Sequence, residues 1–123
     1  MIYNKYDAIE SLRPTGQYTW SGFNYSNLIW HDSDTPPTEA EIDAELARLN
    51  NAESMNLLRI ERNDRLAACD WVVLSDSQLT TTKKTAWKTY RQSLRDLPAS
   101  ASPKLDSNGN LDMSSVTFPT EPS

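Results

Sequence analysis

Apolar residues recur with helical spacing through the middle of the chain. After a Pro-Pro pair, Thr38 and Glu41 match a capping box, in which each side chain hydrogen-bonds a free backbone N–H at the start of a helix. The apolar stripe on one face of this helix comprises Ile42, Leu46, Leu49, Leu57 and Ile60. The pattern predicts a long helix over 38–68, and the polar residues at 50–53 leave open a kink or break there.

A second apolar stripe follows nearer the C-terminus. Its members, spaced three or four residues apart, are Trp87, Tyr90, Leu94 and Leu97. One of the threonines at 80–82 is expected to cap this helix, and Pro98 is expected to stop it. The stripe predicts a helix over 82–97 that forms an antiparallel pair with the first.

The segment between the two helices reads Trp-Val-Val-Leu at 71–74. These residues are apolar and typical of strands, so we expect them to be buried in a connector. Trp71 and Trp87 each open or close a helix of the proposed pair. We therefore expect both indole rings to be largely buried and close to each other.

The first 35 residues are rich in aromatic side chains. Residues 7–13 are predicted to make a helical turn or more, which Pro14 and Gly16 stop. Two β-favouring runs, Gln-Tyr-Thr-Trp and Asn-Leu-Ile-Trp-His-Asp, then flank a spacer that favours a turn. They predict a β-hairpin over 17–31. A lone hairpin is marginal in water, so it must lie on the following helix or on a partner.

The chain from Pro98 onward is rich in Ser, Pro and Asn and shows no apolar periodicity. Its composition indicates a flexible, extended tail, in which residues 116–118 could add a short strand. The sequence therefore predicts a mainly α fold with a small β element. It divides into an N-terminal aromatic-rich β-hairpin segment at 1–37, a helical domain at 38–98 and an extended Pro/Ser-rich tail at 99–123.

The composition and charge set limits on the function. Apolar residues make up 37% of the 123 residues, which is consistent with a small core, a core completed by a partner or a partly unstructured chain. The net charge of −5 argues against nucleic-acid binding. The charge is uneven, because residues 1–50 carry three bases against eight acids and residues 51–97 carry eight bases against six acids. Such a chain can pair its own halves or present two faces to a partner.

Targeting signals are not evident in the sequence. No apolar run approaches the roughly 20 residues of a membrane span, and the N-terminus has no cationic start followed by an apolar block. A lone Cys69 cannot close an intrachain disulfide, which suits a reducing cytoplasm. We therefore expect a protein with no membrane association.

Catalytic and metal-binding motifs are weak. His31 with Asp32 and Asp34 is too compact and too common a pattern to indicate a metal site. Cys69 has no histidine at a suggestive distance and apolar neighbours, so we expect it to be buried and not a catalytic thiol. Three glycines form no phosphate-binding loop. We expect no catalytic, cofactor or metal site, and no enzyme.

Aromatic and arginine side chains are the remaining candidates for binding. Arg91 and Arg95, one turn apart, could reach Asp64 or Asp70 within the helix pair, or could contact a partner beside the tryptophans. In the N-terminal segment, the candidate partner-binding residues are Tyr18, Trp20, Phe23, Tyr25 and Trp30. Core packing and partner binding both remain open for these side chains.

The segment from Arg62 to Pro98 resembles the phage tail assembly chaperone-like domain. That family carries an Arg-Asn helix, an Asp-Trp pair, a turn ending in Asp, a lysine-bearing linker, and a Trp-x-x-Tyr-Arg-x-x-Leu-Arg-Asp helix before a proline. The matching positions are Arg62, Asn63, Leu66, Asp70, Trp71, Asp76, Trp87, Tyr90, Arg91, Leu94, Arg95, Asp96 and Pro98. The closing Phe118, Pro119 and Pro122 are similar to the family's Trp-Pro-x-x-Pro ending. The resemblance covers about 59–122.

The N-terminal half resembles a segment that precedes this domain in tail-associated phage proteins. The resemblance implies a bacteriophage accessory protein that assists assembly of the tail or tail fibres by non-covalent protein binding, in the host cytoplasm. The alternative is a structural subunit, such as a tail or tail-fibre adaptor, that stays in the virion. Phage tail or tail-fibre proteins are the implied partners, and a homo-oligomer stays open.

Overall fold

The computed structural model describes residues 2–74 and 76–122. It is mainly helical, with a small two-stranded antiparallel sheet near the N-terminus, which confirms the predicted fold class. The chain divides into two compact units, Met1–Ala52 and Glu53–Ser123. The three-segment division made from the sequence stays a prediction.

The first unit begins with helix α1, Lys5–Leu12. Asn4 caps it: its side chain accepts a hydrogen bond from the backbone N–H of Asp7, and the Asp7 carboxylate accepts one from the backbone of Asn4. This reciprocal capping box satisfies two otherwise free N–H groups. The helix therefore starts before the predicted turn at 7–13.

The predicted hairpin is present but very short. Strand β1, Tyr18–Thr19, pairs antiparallel with β2, Ile29–Trp30, so that Tyr18 lies opposite Trp30. A 3-10 helix at Tyr25–Asn27 lies within the connection. Two residues per strand supply few ladder hydrogen bonds, so side-chain packing must hold the hairpin.

That packing forms the core of the first unit. Ala8 and Ile9 of α1, Trp20 after β1, and Ile42 form its buried cluster. Further half-buried apolar side chains packed against it are Tyr6, Leu12, Tyr18, Tyr25, Leu28, Trp30 and Leu46. The hairpin thus rests on α1 and on the start of the following helix, one of the two supports expected from the sequence.

Helix α2 runs from Glu39 to Ala68. Its start has the predicted capping box, because the Glu41 carboxylate accepts the Thr38 N–H at 3.3 Å and the Thr38 hydroxyl accepts the Glu41 N–H at 3.1 Å. The polar residues at 50–53 do not interrupt the helix, so the break left open from the sequence is absent. Its N-terminal part belongs to the first unit and its C-terminal part to the second.

Helix α3, Thr81–Ser100, belongs to the second unit. Thr80 caps it by accepting the Lys83 N–H at 3.2 Å. The prediction that Pro98 stops the helix is wrong, because Pro98 lies inside it. Proline removes only one backbone donor in the last turn, and the Ala101 N–H still closes that turn on the Leu97 carbonyl at 2.9 Å.

Contacts between α3 and the C-terminal part of α2 run in the antiparallel sense. Arg91 bonds the carbonyl of Leu66, and Arg62 bonds the carbonyl of Arg95. The buried cluster between the helices contains Cys69, Tyr90 and Leu94, with Leu66, Trp87 and Phe118 packed against it. The helix pair expected from the apolar stripes is therefore formed by side-chain contacts.

The polar C-terminal segment folds back on this unit. The buried Ser54 hydroxyl donates to the Pro103 carbonyl at 2.9 Å. Leu105 bridges to Leu111 around a turn at Gly109, whose φ is 81°. Val116 is buried, but residues 116–118 form no strand. The segment thus has internal anchors that its composition did not reveal.

We expect Leu94→Ala to lower the free energy of unfolding by roughly 2–5 kcal/mol, because a fully buried leucine leaves a cavity when it is truncated. Urea titration followed by far-UV circular dichroism measures this change. The matched control is Leu74→Ala, whose leucine is 57% exposed and should cost no more than roughly 0.5 kcal/mol. Equal unfolding midpoints for the two variants would contradict the assigned core.

Acid should weaken the first unit through Glu45. Its carboxylate accepts hydrogen bonds from Arg48 and from the Ser11 hydroxyl, which lower its pKa from 4.5 to about 2. A carboxylate with a lowered pKa stabilises the folded protein when the pH is above the ordinary pKa of that group. This stabilisation is lost as the pH falls through the pKa of the folded state. Glu45→Gln should therefore be less stable than wild type at neutral pH, and the difference should disappear near pH 2.

Urea midpoints measured across that pH range check this expectation. The control is Asp64→Asn, which removes an exposed carboxylate of the same helix that makes no ion pair or hydrogen bond within the described residues. If the urea midpoints of Glu45→Gln and wild type differ by the same amount at neutral and acid pH, the Glu45 carboxylate makes no pH-dependent contribution to stability.

Candidate functional site

The connector between α2 and α3 exposes three of its four apolar side chains at 71–74. A 3-10 helix, Asp70–Val73, follows directly after α2. Residues three apart eclipse each other in a 3-10 helix, so Cys69 and Val72 both point inward and are buried. Trp71, Val73 and Leu74 are 48%, 58% and 57% exposed. The prediction that residues 71–74 are all buried is therefore wrong for three of them.

The two tryptophans are close, as expected, but they are not both interior. The ring centroids of Trp71 and Trp87 lie 5.8 Å apart in an edge-to-face arrangement. Trp87 is half-buried and also meets Tyr90 edge to face at 5.6 Å. Trp71 therefore extends the buried aromatic cluster outward to the surface.

Two neighbouring cavities lie beside the exposed connector. The first has a volume of about 360 Å³ and is lined by Val72, Val73, Leu74, Thr81, Lys84, Thr85 and Lys88. The second, of about 330 Å³, is lined by Val73, Lys88, Arg91, Gln92 and Arg95. Val73 and Lys88 line both cavities, so the two form one continuous surface. We call the surface made by Val73, Leu74, Lys84, Lys88 and Arg95, together with the exposed Trp71, the apolar–basic surface. Trp71 lines neither cavity, but the Leu74 N–H bonds the Trp71 carbonyl in a 3-10 turn, which places these two side chains on the same side.

The basic side of this surface is one face of α3. Lys84, Lys88, Arg91 and Arg95 follow one another at intervals of four, three and four residues, which places them in one line along the helix. Arg91 pairs with Asp70, whereas the other three have no ion-pair partner within residues 2–74 and 76–122. Three uncompensated positive charges therefore line the apolar connector.

Arg91 is a structural residue in this arrangement. It is 7% exposed and bonds the Leu66 carbonyl at 2.9 Å, the Cys69 sulfur at 3.0 Å and the Asp70 carboxylate at 2.9 Å. Desolvation acts to lower its pKa, but the hydrogen bonds to Cys69 and Asp70 outweigh it and the pKa is raised. The guanidinium stays charged and is not available as a free contact. Arg95 is exposed and remains a candidate for binding.

The other family-motif residues lie near this junction. Arg62 donates to the Asn63 side chain and to the Arg95 carbonyl, at 3.0 and 3.4 Å. Leu66 and Tyr90 join the buried cluster. Sequence reasoning missed the guanidinium of Arg65, which lies 4.0 Å from the ring centroid of Phe118 and links the C-terminal segment to α2.

The aromatic candidates of the N-terminal segment are mostly engaged within the first unit. Tyr18 stacks on Trp30 at 6.0 Å, and burial together with its hydrogen bond to Glu10 raises its pKa to about 12. Trp20 is buried and donates to the Asn24 carbonyl, and Tyr25 donates to the Pro37 carbonyl. Phe23 is the exposed one of these five, at 47%. Their contact with a partner stays a prediction.

The histidine region makes structural contacts. The ring of His31 lies 2.8 Å from the Thr19 hydroxyl, and Asp32 accepts the Gln17 N–H at 2.6 Å. The part of the chain that the structure describes holds no group of three or more His, Cys, Asp or Glu side chains suited to a metal ion. Nor does any helix in that part have the length and apolar character needed to cross a membrane.

The sequence did not single out Val73, Leu74, Lys84 and Lys88 as site residues. The four-three-four spacing of the bases in α3 is a signal that could have found the lysines. The exposure of Val73 and Leu74 had no such signal, because a short apolar run reads equally as a buried strand.

Comparison with known proteins assigns the region that contains this surface to a family. The family model described as phage tail assembly chaperone protein matches residues 55–123, more than half of the chain. The match confirms the resemblance found from residue 59 onward. No curated protein and no solved structure matches the chain.

Truncation of the two arginines of α3 should cost very different amounts of stability. Arg91→Ala should lower the free energy of unfolding by on the order of 2–3 kcal/mol, because it leaves buried acceptors without a charged donor. Arg95→Ala, one turn away and exposed, should change it by no more than roughly 0.5 kcal/mol. Urea unfolding of both variants measures the difference, and equal losses would show that Arg91 has no structural role.

Proposed function

The chain belongs to the phage tail assembly chaperone family, and from that premise we propose that it binds a tail or tail-fibre protein non-covalently during assembly, through the apolar–basic surface. A family of assembly chaperones supports a role in phage tail assembly inside the host cell and a non-enzymatic one. Which tail component is bound is the finer part of the proposal.

The observation that carries the proposal is the exposure of three apolar side chains within four residues of the connector, Trp71, Val73 and Leu74. Single exposed apolar residues are ordinary on a soluble protein, but a contiguous cluster bounded by charges is typical of an interaction site. Burying apolar area contributes about 25 cal/mol per Å². Tryptophan and arginine are enriched in binding hot spots, and both Trp71 and Arg95 are exposed here.

The charges at the edge of the cluster define how such binding would respond to salt. Lys84, Lys88 and Arg95 are uncompensated within the described residues. Contacts with solvent-exposed charges weaken as ionic strength rises, whereas burial of apolar side chains does not. If the complex with the partner loses part of its affinity at high salt and keeps the rest, both the basic and the apolar side chains of the surface contribute to binding.

A structural virion subunit is the alternative, and no contact on the described surface favours it. The ordered C-terminal segment would have argued for a permanent partner, but its anchors at Ser54 and Arg65 are internal. Mass spectrometry of purified virions separates the two roles: a chaperone is absent or scarce in the particle, and a structural subunit is present at a fixed stoichiometry.

We expect Trp71→Ala/Leu74→Ala to retain the fold and to lose tail-protein binding by about tenfold or more, since hot-spot truncations cost about that much or more in affinity. The measurement is pull-down and calorimetry with individually purified tail and tail-fibre proteins of the same phage. The matched control is Met113→Ala, another exposed apolar residue of the second unit, at 46%. It should bind like wild type. If the wild-type chain binds none of these proteins, the proposed function fails.

A further inference from the structure

The apolar–basic surface has a length and a polarity that restrict what can lie on it. From Lys84 to Arg95 the basic line covers twelve residues, so its ends lie about 16 Å apart at 1.5 Å per step of helix. Val73 and Leu74 lie beside the first half of this line, where they share a cavity with Lys84 and Lys88. Farther along, Val73, Lys88 and Arg95 share the second cavity.

Resting on the proposed function, we infer that the segment bound here is an acidic amphipathic α-helix of the partner. Its apolar side chains pack on Trp71, Val73 and Leu74. Its carboxylates, spaced three or four residues apart, face Lys84, Lys88 and Arg95. About three helical turns match the length of the basic line. Charge complementarity therefore specifies the class of the bound segment.

A helix fits this surface better than an extended segment does. The surface consists of side chains from α3, from the 3-10 helix Asp70–Val73 and from Leu74 directly after it. It offers no strand edge in the part of the second unit that the structure describes. An extended chain lying on apolar side chains would lose water from backbone groups that find no partner. A helix satisfies those groups internally and presents its own apolar stripe to the groove.

Carboxylates are favoured over phosphates as the anionic groups. The protein carries a net charge of −5, which repels a polyanion such as nucleic acid. Trp71, Val73 and Leu74 also occupy half of the surface, and apolar side chains give nothing to a phosphate backbone. A helix with acids on one flank and apolar residues on its face uses the whole surface.

A second copy of this chain matches the surface poorly. Its acidic helical stretch lies at the start of α2, where the negative residues are Glu39, Glu41, Asp43 and Glu45. The apolar face of that stretch is already in use, because Ile42 is buried in the core of the first unit and Leu46 packs against it. The stretch can supply carboxylates but no free apolar anchors.

The test uses the purified full-length chain and whichever tail protein it binds. Lys84→Glu/Lys88→Glu should weaken that complex by about tenfold or more at low salt, and the gap from wild type should narrow near 1 M NaCl. The matched control is Lys83→Glu/Lys104→Glu, which changes the net charge equally at lysines that line neither cavity. The control should stay within about twofold of wild type.

Carbodiimide coupling of the wild-type complex then identifies the bound segment, since it joins a lysine amine to a carboxylate in contact with it. We expect crosslinks from Lys84 or Lys88 to acids of one partner segment that has helical apolar periodicity. An isotope-labelled mixture of this chain distinguishes crosslinks to a second copy. Crosslinks to a second copy, or to acids outside any helical pattern, would overturn the inference.

The two failures are separable. If no tail protein binds the wild-type chain, the proposed function is lost. A different result would separate the two proposals. In that case a tail protein binds the wild-type chain and is lost from Trp71→Ala/Leu74→Ala, while Lys84→Glu/Lys88→Glu binds it as well as the control Lys83→Glu/Lys104→Glu does. The proposed function then stands, and the inference of an acidic helix is overturned.

Discussion

The guanidinium of Arg91 lies where α2 ends, and the second unit depends on its bonds there. The last carbonyls of a helix have no intrahelical donor and carry its negative dipole. Arg91 donates to one of them, the carbonyl of Leu66, and also donates to the Cys69 sulfur and the Asp70 carboxylate. These bonds fix the chain direction just after the helix. The 3-10 connector that follows then turns Val72 inward and leaves its neighbours outside, so a buried electrostatic contact determines an exposed apolar surface.

The same junction makes a small core sufficient. The second unit buries few large side chains, and its cluster of Cys69, Tyr90 and Leu94 is completed by residues from three separate segments. Phe118 joins it from the C-terminal segment and is covered by Arg65. A low apolar fraction is therefore compatible with an ordered chain, because polar anchors such as Ser54 to Pro103 hold the segment that composition marks as flexible. A partner is not needed for that purpose, and the apolar–basic surface remains free for one.

The first unit solves a different problem with aromatic rings. Two strands of two residues cannot stand alone, and Trp20 brings the hairpin onto α1 and Ile42. The rings that do this have polar edges that find backbone partners, as Tyr6 does with the Trp20 carbonyl at 3.0 Å. Aromatic richness here serves folding, and it leaves Phe23 as the exposed ring of the five candidates.

The sequence by itself determined the elements. Capping residues and apolar periodicity predicted α2 and α3, because these signals act over one or two helical turns, and the spacing from Arg62 to Pro98 was enough to indicate the family. Local signals could not determine burial. Trp71 and Leu74 read as core residues from composition, and Arg91 read equally as a contact or a crosslink; each was decided by segments distant in sequence. Only the tertiary structure closed α3 onto the end of α2, and that contact buried an arginine and exposed a tryptophan because one turn of 3-10 helix admits one inward face.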